Sequence, residues 1–179
     1  MCAENGVVVE GMSLNLLTFY LCNIEILSLG FGKCSLCVQV PISSGISNVD
    51  DLIGKRIVTS FENVVGNYFD ARESGLPHDQ ACTRLVSPPL PSASQQDSLK
   101  NRKTKISYVN GSVEAACALG LADGIVDLVE SGSTMRAAKL MPIATLLTSE
   151  AVLICNSQKH NTNPLIEKIT QETVDKYLK

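Results

Sequence analysis

The stretch Glu114 to Leu140, EAACALGLADGIVDLVESGSTMRAAKL, decides how this chain folds. Within it, Gly124-Ile-Val-Asp-Leu-Val129 has the β-branched, apolar composition of a strand buried on both faces, as in a parallel sheet covered by helices. Asp127 then falls near the C-terminal end of that strand. Glu130-Ser-Gly-Ser-Thr134 follows with hydroxyls and a glycine, and Met135 to Leu140 supplies strong helix formers that predict a helix. A helix starting there leaves backbone N–H groups without partners. Together with the hydroxyls of Ser131, Ser133 and Thr134 and the space left by Gly132, those groups suit a phosphate dianion. Asp127 and Glu130 would repel a phosphate at close range, and better suit sugar hydroxyls or a divalent cation. Carboxylate, small hydroxyl loop and helix form the chemistry of a ribose-phosphate site. The same spacing also suits an ordinary turn with an N-cap.

Outward from this stretch the chain alternates strand and helix. Strands are predicted at Lys33–Val40, Lys55–Thr59, Thr104–Val109, Ile143–Leu147 and Ala151–Cys155. Helices are predicted at Val49–Ile53, Glu62–Glu73 and Val113–Leu119. A last helix starts at Pro164 and places Leu165, Ile169, Val174 and Leu178 along one side. Such alternation means an α/β fold with a mainly parallel sheet, in which sites form beyond the C-terminal strand ends. Three strand-to-helix junctions then share one rim: Thr59-Ser60, Asn110 to Glu114, and Asp127 to Thr134. Glu114, expected in the first turn of its helix, is also simply favoured there by the helix dipole. Residues 88–103, rich in proline, serine and glutamine, read as a flexible insertion.

The 179 residues are 45% hydrophobic, enough for a sizeable core. A formal net charge of −3 argues against nucleic acid as a partner, because binding a phosphate backbone requires a cationic surface. The apolar stretch Met12 to Phe31 is interrupted by Asn15, Asn23 and Glu25 and lacks a basic leader, so it reads as core-seeking strand or helix and not as a membrane segment. Seven cysteines without a secretory signal point to a reducing, cytoplasmic setting. Cys34-Ser-Leu-Cys37 lies in a strand, where residues three apart face opposite sides, so packing is favoured over metal binding. Cys117 and Cys155 read as small buried hydrophobes. His78 and His160, in polar surroundings near Pro77 and Pro164, read as surface histidines.

Glu114, five residues, Gly120, then Ala122, Ile125, Asp127, Leu128, Ser131-Gly132, Thr134 and Met135 together resemble the signature of the ATP phosphoribosyltransferase family, which opens histidine biosynthesis. The similarity continues through Leu29 to Cys34, Val38 to Pro41, Leu52 to Ile57, Thr59 to Phe61 and Ile143 to Thr145, and looks closest to fungal-like members. It covers roughly residues 24–87 and 104–179.

The resemblance implies an α/β fold with two lobes like type II periplasmic binding proteins, one lobe incomplete here. Residues 1–39 would contribute partial lobe I and an unmatched N-terminal segment, 40–145 lobe II with the phosphoribosyl motif, and 146–179 a return to lobe I. It further implies transfer of phosphoribose from phosphoribosyl pyrophosphate to ATP, with Mg2+ as cofactor, no protein nucleophile and a homo-oligomer. On this pattern Ser131, Gly132, Ser133 and Thr134 take the 5-phosphate and Asp127, with Glu130, the ribose hydroxyls. Thr59, Ser60 and Glu114 would line the cleft, Thr59 and Ser60 being equally suited to cap a helix. A basic Pro-Lys-Lys-Gly-Arg-like segment and a C-terminal regulatory domain, both family features, do not occur in these 179 residues. The alternative reading is therefore a catalytically impaired ligand-binding module, or a fragment needing a partner chain. Histidine inhibition is expected to be lost with the regulatory domain.

Overall fold

The computed structural model describes residues 7–10, 23–85, 103–156 and 164–177. They divide into two compact units, 34–148 and the pair of segments 1–33 and 149–179.

In the 34–148 unit, strand β3 (Cys34–Pro41) carries the unbroken run Leu36-Cys-Val-Gln-Val40, all buried, so both of its faces are covered. It pairs antiparallel with β6 (Gly124–Val129), setting Leu36 opposite Leu128 and Val38 opposite Val126. On the other side of β6 lies β4 (Arg56–Thr59), parallel to it and parallel also to β5 (Lys105–Tyr108). The sheet order is β5-β4-β6-β3-β7, with β7 spanning Leu140–Ser149. The expected α/β class is thus observed, with β5-β4-β6 as its parallel part. Strand β6 is buried over its first half and half-buried from Asp127 onward.

Helices cover this sheet. Helix α1 (Glu62–Glu73) turns Val64, Val65, Tyr68, Phe69 and Ala71 inward, and the Tyr68 and Phe69 rings meet edge to face with centroids 5.4 Å apart. Helix α2 (His78–Arg84) begins directly after Pro77 and buries Ala81. No element is predicted there by the sequence, which reads only as polar surroundings near Pro77. Helix α3 is only Ala115–Ala118, shorter than the predicted Val113–Leu119, and α4 is Ser133–Ala137. Val58 of β4 and Ile125 of β6, neighbours in register, pack with Val113, Ala116 and Leu140, and Cys117, Met135 and Ala138 close over them. Alternate strand residues such as Ile57 and Val126 therefore serve the other face of the sheet. The segment Val49–Leu52, expected as a short helix, is a 3-10 turn capped by Asn48 Oδ1, which accepts from the Asp50 N–H.

The second unit holds a three-stranded sheet in the order β1-β8-β2, where β1 is Val7–Glu10, β2 Asn23–Ser28 and β8 Val152–Asn156. Both pairings are antiparallel, and a bulge interrupts β2 between Glu25 and Leu27. Strand β1 was missed by sequence reading, although Val7-Val8-Val9 is a β-branched run. Helix α5 (Pro164–Tyr177) starts where proline predicted it, but its buried residues are Ile166 and Thr170, while Leu165 is 59% exposed. The predicted stripe through Leu165 and Ile169 is one residue out. Two adjacent helical stripes each carry apolar residues here, and only packing chooses between them. Leu178, His160 and most of Met12–Phe31 and of the insertion 88–103 lie outside the described residues. No helix among the described residues is long and apolar enough to cross a membrane.

Candidate ribose-phosphate site

The parallel register of β4 and β6 sets Thr59 beside Val126, and that of β4 and β5 sets Thr59 beside Tyr108. Ser60, the Val109–Ser112 turn and Asp127 consequently emerge at the same end of the sheet. The expected rim exists.

Asp127 is half-buried, and its carboxyl is raised above the ordinary carboxylate range, first by burial and further by the negative charge of Glu114, with the Leu128 N–H opposing. Structure thus brings together two carboxylates that are 13 positions apart in sequence, one from the end of a strand and one from the next-door junction. Glu114 occupies the N-cap position of α3 with helical backbone angles and makes no capping bond, so it sits just before the first turn where it was predicted. Ahead of it, Gly111 and Ser112 both have positive φ, +78° and +49°. A serine in that region is uncommon and marks a turn whose path is imposed by its surroundings.

Beyond Val129 the chain bends through Glu130 and Ser131 to Gly132, which is buried and left-handed at φ +72°. Gly132 is the N-cap residue of α4, with no side-chain cap. The helix therefore begins at Ser133, two residues earlier than predicted, and ends before Lys139, whose φ of +56° turns the chain into β7. Ser133 and Thr134 thus belong to the first turn of the helix and not to the loop, because the Arg136 and Ala138 N–H groups already donate to Gly132 and Thr134. Ser131 and Ser133 share a hydroxyl–hydroxyl bond of 2.9 Å, and both are exposed. Glu130 is exposed, and its charge, after burial, helps raise the thiol of Cys34 across the strand pair.

Arg136 escaped the sequence reading. Its Nη2 donates to the Ser131 carbonyl at 3.0 Å, and its Nη1 lies where a Cβ on Gly132 would approach within 2.8 Å. The only sequence signal was a basic residue one helical turn beyond the glycine.

Thr59 and Ser60 are held in place by other bonds. Thr59 is fully buried, and its hydroxyl donates to the Val126 carbonyl at 2.7 Å and accepts from the Phe61 N–H at 3.0 Å. Ser60 Oγ donates to the Val109 carbonyl at 2.7 Å. Neither caps α1, whose N-cap is Phe61 without a side-chain bond. These hydroxyls tie the rim's three junctions to one another. Among the described residues no group of three or more histidine, cysteine, aspartate or glutamate side chains is arranged to hold a metal.

This is an α/β fold like that of type II periplasmic binding proteins. The fold resembles the periplasmic sulfonate-binding protein from Methylobacillus flagellatus (TM-score 0.54, 18% identity, covering 88% of this chain and 42% of that one). It also resembles the ATP phosphoribosyl transferase (HisG:HisZ) complex from Thermotoga maritima (TM-score 0.64, 20% identity, 96% of this chain and 69% of that chain). A family model for ATP phosphoribosyltransferase matches residues 20–175. The ATP phosphoribosyltransferase of Schizosaccharomyces pombe is 47% identical over 146 residues, covering 81% of this chain. The chain belongs to the ATP phosphoribosyltransferase family. It spans about 42% of the length of the curated relatives that it matches.

Proposed function

We propose that the protein acts as an ATP phosphoribosyltransferase, condensing ATP with phosphoribosyl pyrophosphate to give phosphoribosyl-ATP and pyrophosphate in histidine biosynthesis. The observation that carries this is the convergence of the half-buried Asp127, Glu114 and the Ser131–Thr134 turn at one rim, in a chain of this family.

In the reaction adenine N1 attacks C1 of the ribose, forming an N–C bond while the C1–O bond to pyrophosphate breaks. Positive charge develops on the ribose and negative charge on the leaving group, so catalysis rests on positioning and electrostatics and needs no protein nucleophile. Ser131, Gly132, Ser133 and Thr134 receive the 5-phosphate. Asp127 accepts from the ribose hydroxyls and, ionised, favours the positive ribose, with exposed Glu130 at its margin. Thr59 and Ser60 act by fixing the rim on the nucleotide side, since their hydroxyls are committed to carbonyls.

Asp127 and Glu114, both hard oxygen donors, would hold magnesium, and a cation between them would relieve their repulsion. A Mg2+ ion keeps several waters and commonly takes one or two carboxylates plus substrate phosphates. When bound it neutralises pyrophosphate charge. The 34–148 unit corresponds in this reading to lobe II, and the 1–33 and 149–179 segments to lobe I. The protein works in the cytoplasm, as a homo-oligomer.

A second reading is a module that binds phosphorylated ribose but needs a partner chain to turn over. What favours it is a structural relative described as a two-component complex. Isothermal titration with phosphoribosyl pyrophosphate and magnesium, beside an Asp127→Ala, Thr134→Ala double variant, tests the site. Saturable binding lost in the variant is expected; no binding by the folded wild-type chain would sink both readings. Formation of phosphoribosyl-ATP then separates enzyme from module.

A further inference from the structure

The turn from Asp127 to Thr134 is short of positive charge for a phosphate. Asp127 stands at its start under the negative charge of Glu114, and Glu130 is exposed two residues before Gly132. A phosphate dianion brought beside these carboxylates is repelled. The helix that follows offers little in return. A macrodipole sums over aligned peptides, and α4 has only the five residues Ser133–Ala137. The hydroxyls of Ser131 and Ser133 can donate hydrogen bonds, but they bring no charge.

Arg136 supplies what is missing. Side chains on a helix tilt toward its N-terminus, so a residue in the fourth helical position covers the turn that precedes the helix. Here Nη2 donates to the Ser131 carbonyl at 3.0 Å, and Nη1 and Cζ lie 2.8 and 3.7 Å from where a Cβ on Gly132 would stand. The guanidinium therefore rests against the backbone of Ser131 and Gly132, and the missing Cβ makes that seat possible. Its partner there is a neutral carbonyl. Among the described residues Arg136 is in no ion pair, and its Nε and Nη1 have no acceptor. Arg56 and Arg72, by contrast, are each in contact with an aspartate. Arg136 is also exposed, so its remaining donors are accessible.

We propose that Arg136 is the protein's own cation at the 5-phosphate, binding it through the N–H groups left over while its bond to Ser131 holds the turn in shape. This rests on the ribose-phosphate reading of the turn and adds to it a residue which that reading leaves out. Charge and fork geometry both matter. Lysine keeps the charge but loses the fork that serves carbonyl and phosphate together, whereas glutamine keeps a donor and loses the charge.

The test is isothermal titration of the full chain with ribose 5-phosphate in EDTA, so that no divalent ion supplies charge, at about 0.1 and 1 M KCl, where screening acts over about 10 and 3 Å. Arg136→Gln should weaken binding about tenfold at the lower salt, as for the loss of one charge-assisted hydrogen bond, and distinctly less at the higher. Arg136→Lys should fall between wild type and Arg136→Gln. The urea midpoint should move little in either variant, since the position is exposed and both replacements are good helix formers. A loss equal at the two salts would mark a purely structural tie and overturn the proposal, as would undiminished binding by Arg136→Gln; in both cases the ribose-phosphate reading stands. No saturable binding by the folded wild-type chain would remove that reading and the role of Arg136 with it.

Discussion

At the start of β4 and β6, the Arg56 guanidinium grips Asp123 through two N–H groups at 2.9 and 3.1 Å, while a third donor reaches the Gly120 carbonyl. Nearby, Glu73 accepts from the Thr104 N–H and hydroxyl and from the Lys103 N–H, and Thr104, 2% exposed, in turn accepts from the Gly54 N–H. At the other end of the same strands, Asp127 and Glu114 repel, and Ser131 and Ser133 are bonded mainly to each other. The first end closes its polar groups on partners of opposite character. The second keeps like charges and exposed hydroxyls together, an arrangement that a bound cation and phosphate would improve. On the proposed function, the groups that hold the fold and those that would hold ribose phosphate fall at opposite ends of one sheet.

That contrast can be broken by substitutions that should affect one property and spare the other. The largest effect on stability is expected for Glu73→Ala, which leaves the Thr104 donors buried and unsatisfied and should cost roughly 2–3 kcal/mol in urea unfolding. Affinity for phosphoribosyl pyrophosphate should be unchanged once the folded fraction is allowed for; a specific loss of affinity would dissolve the division. Gly132→Ala is the converse. An L-residue forced into the left-handed region costs about 1–2 kcal/mol, and the Arg136 side chain must also move, so titration should report a loss of ligand affinity out of proportion to the change in stability.

Asp123→Asn should cost about 0.5–1 kcal/mol at neutral pH, since the ion pair is substantially exposed. Arg56, through its hydrogen bonds to the carboxylate, holds the Asp123 carboxyl down at about 2. A carboxyl depressed on folding stabilises above its unfolded value, here 3.8, and that contribution fades as pH falls toward 2. Wild type and variant should therefore converge in acid; a constant difference would mean that packing, and not charge, is lost. The smallest effect on stability is expected for Glu114→Gln, since Glu114 makes no capping bond. Removing its charge lowers the Asp127 carboxyl, so the acid loss of ligand binding should move to lower pH. A shift the other way would show that Glu114 does not act on Asp127 through its charge.

Much of this was legible before any coordinates. Strand β6 and helix α1 begin and end where the sequence placed them, because one is a short, nearly continuous apolar run and the other carries its apolar residues at helical spacing. The signature turn was legible as chemistry, through Asp127, Ser131, Gly132 and Thr134. Other features were not. Thr59 looked like a cap or a cleft residue, yet its hydroxyl joins two strands, since only register sets it beside Val126. His78 looked like a surface residue because its partner, Tyr68, is ten positions earlier on another helix.

By itself the sequence determined the α/β class, the family and the order of groups in the motif proposed to take ribose phosphate, because these depend on residue type and short spacing. Tertiary structure alone decided that the charge of Glu114 acts on Asp127, that Arg136 folds back on Ser131, and that the Thr59 hydroxyl joins β4 to β6. The physical reason is range. Propensity and periodicity act within a few residues, whereas electrostatic coupling and hydrogen-bond satisfaction depend on distances that only the packed sheet and its helices set.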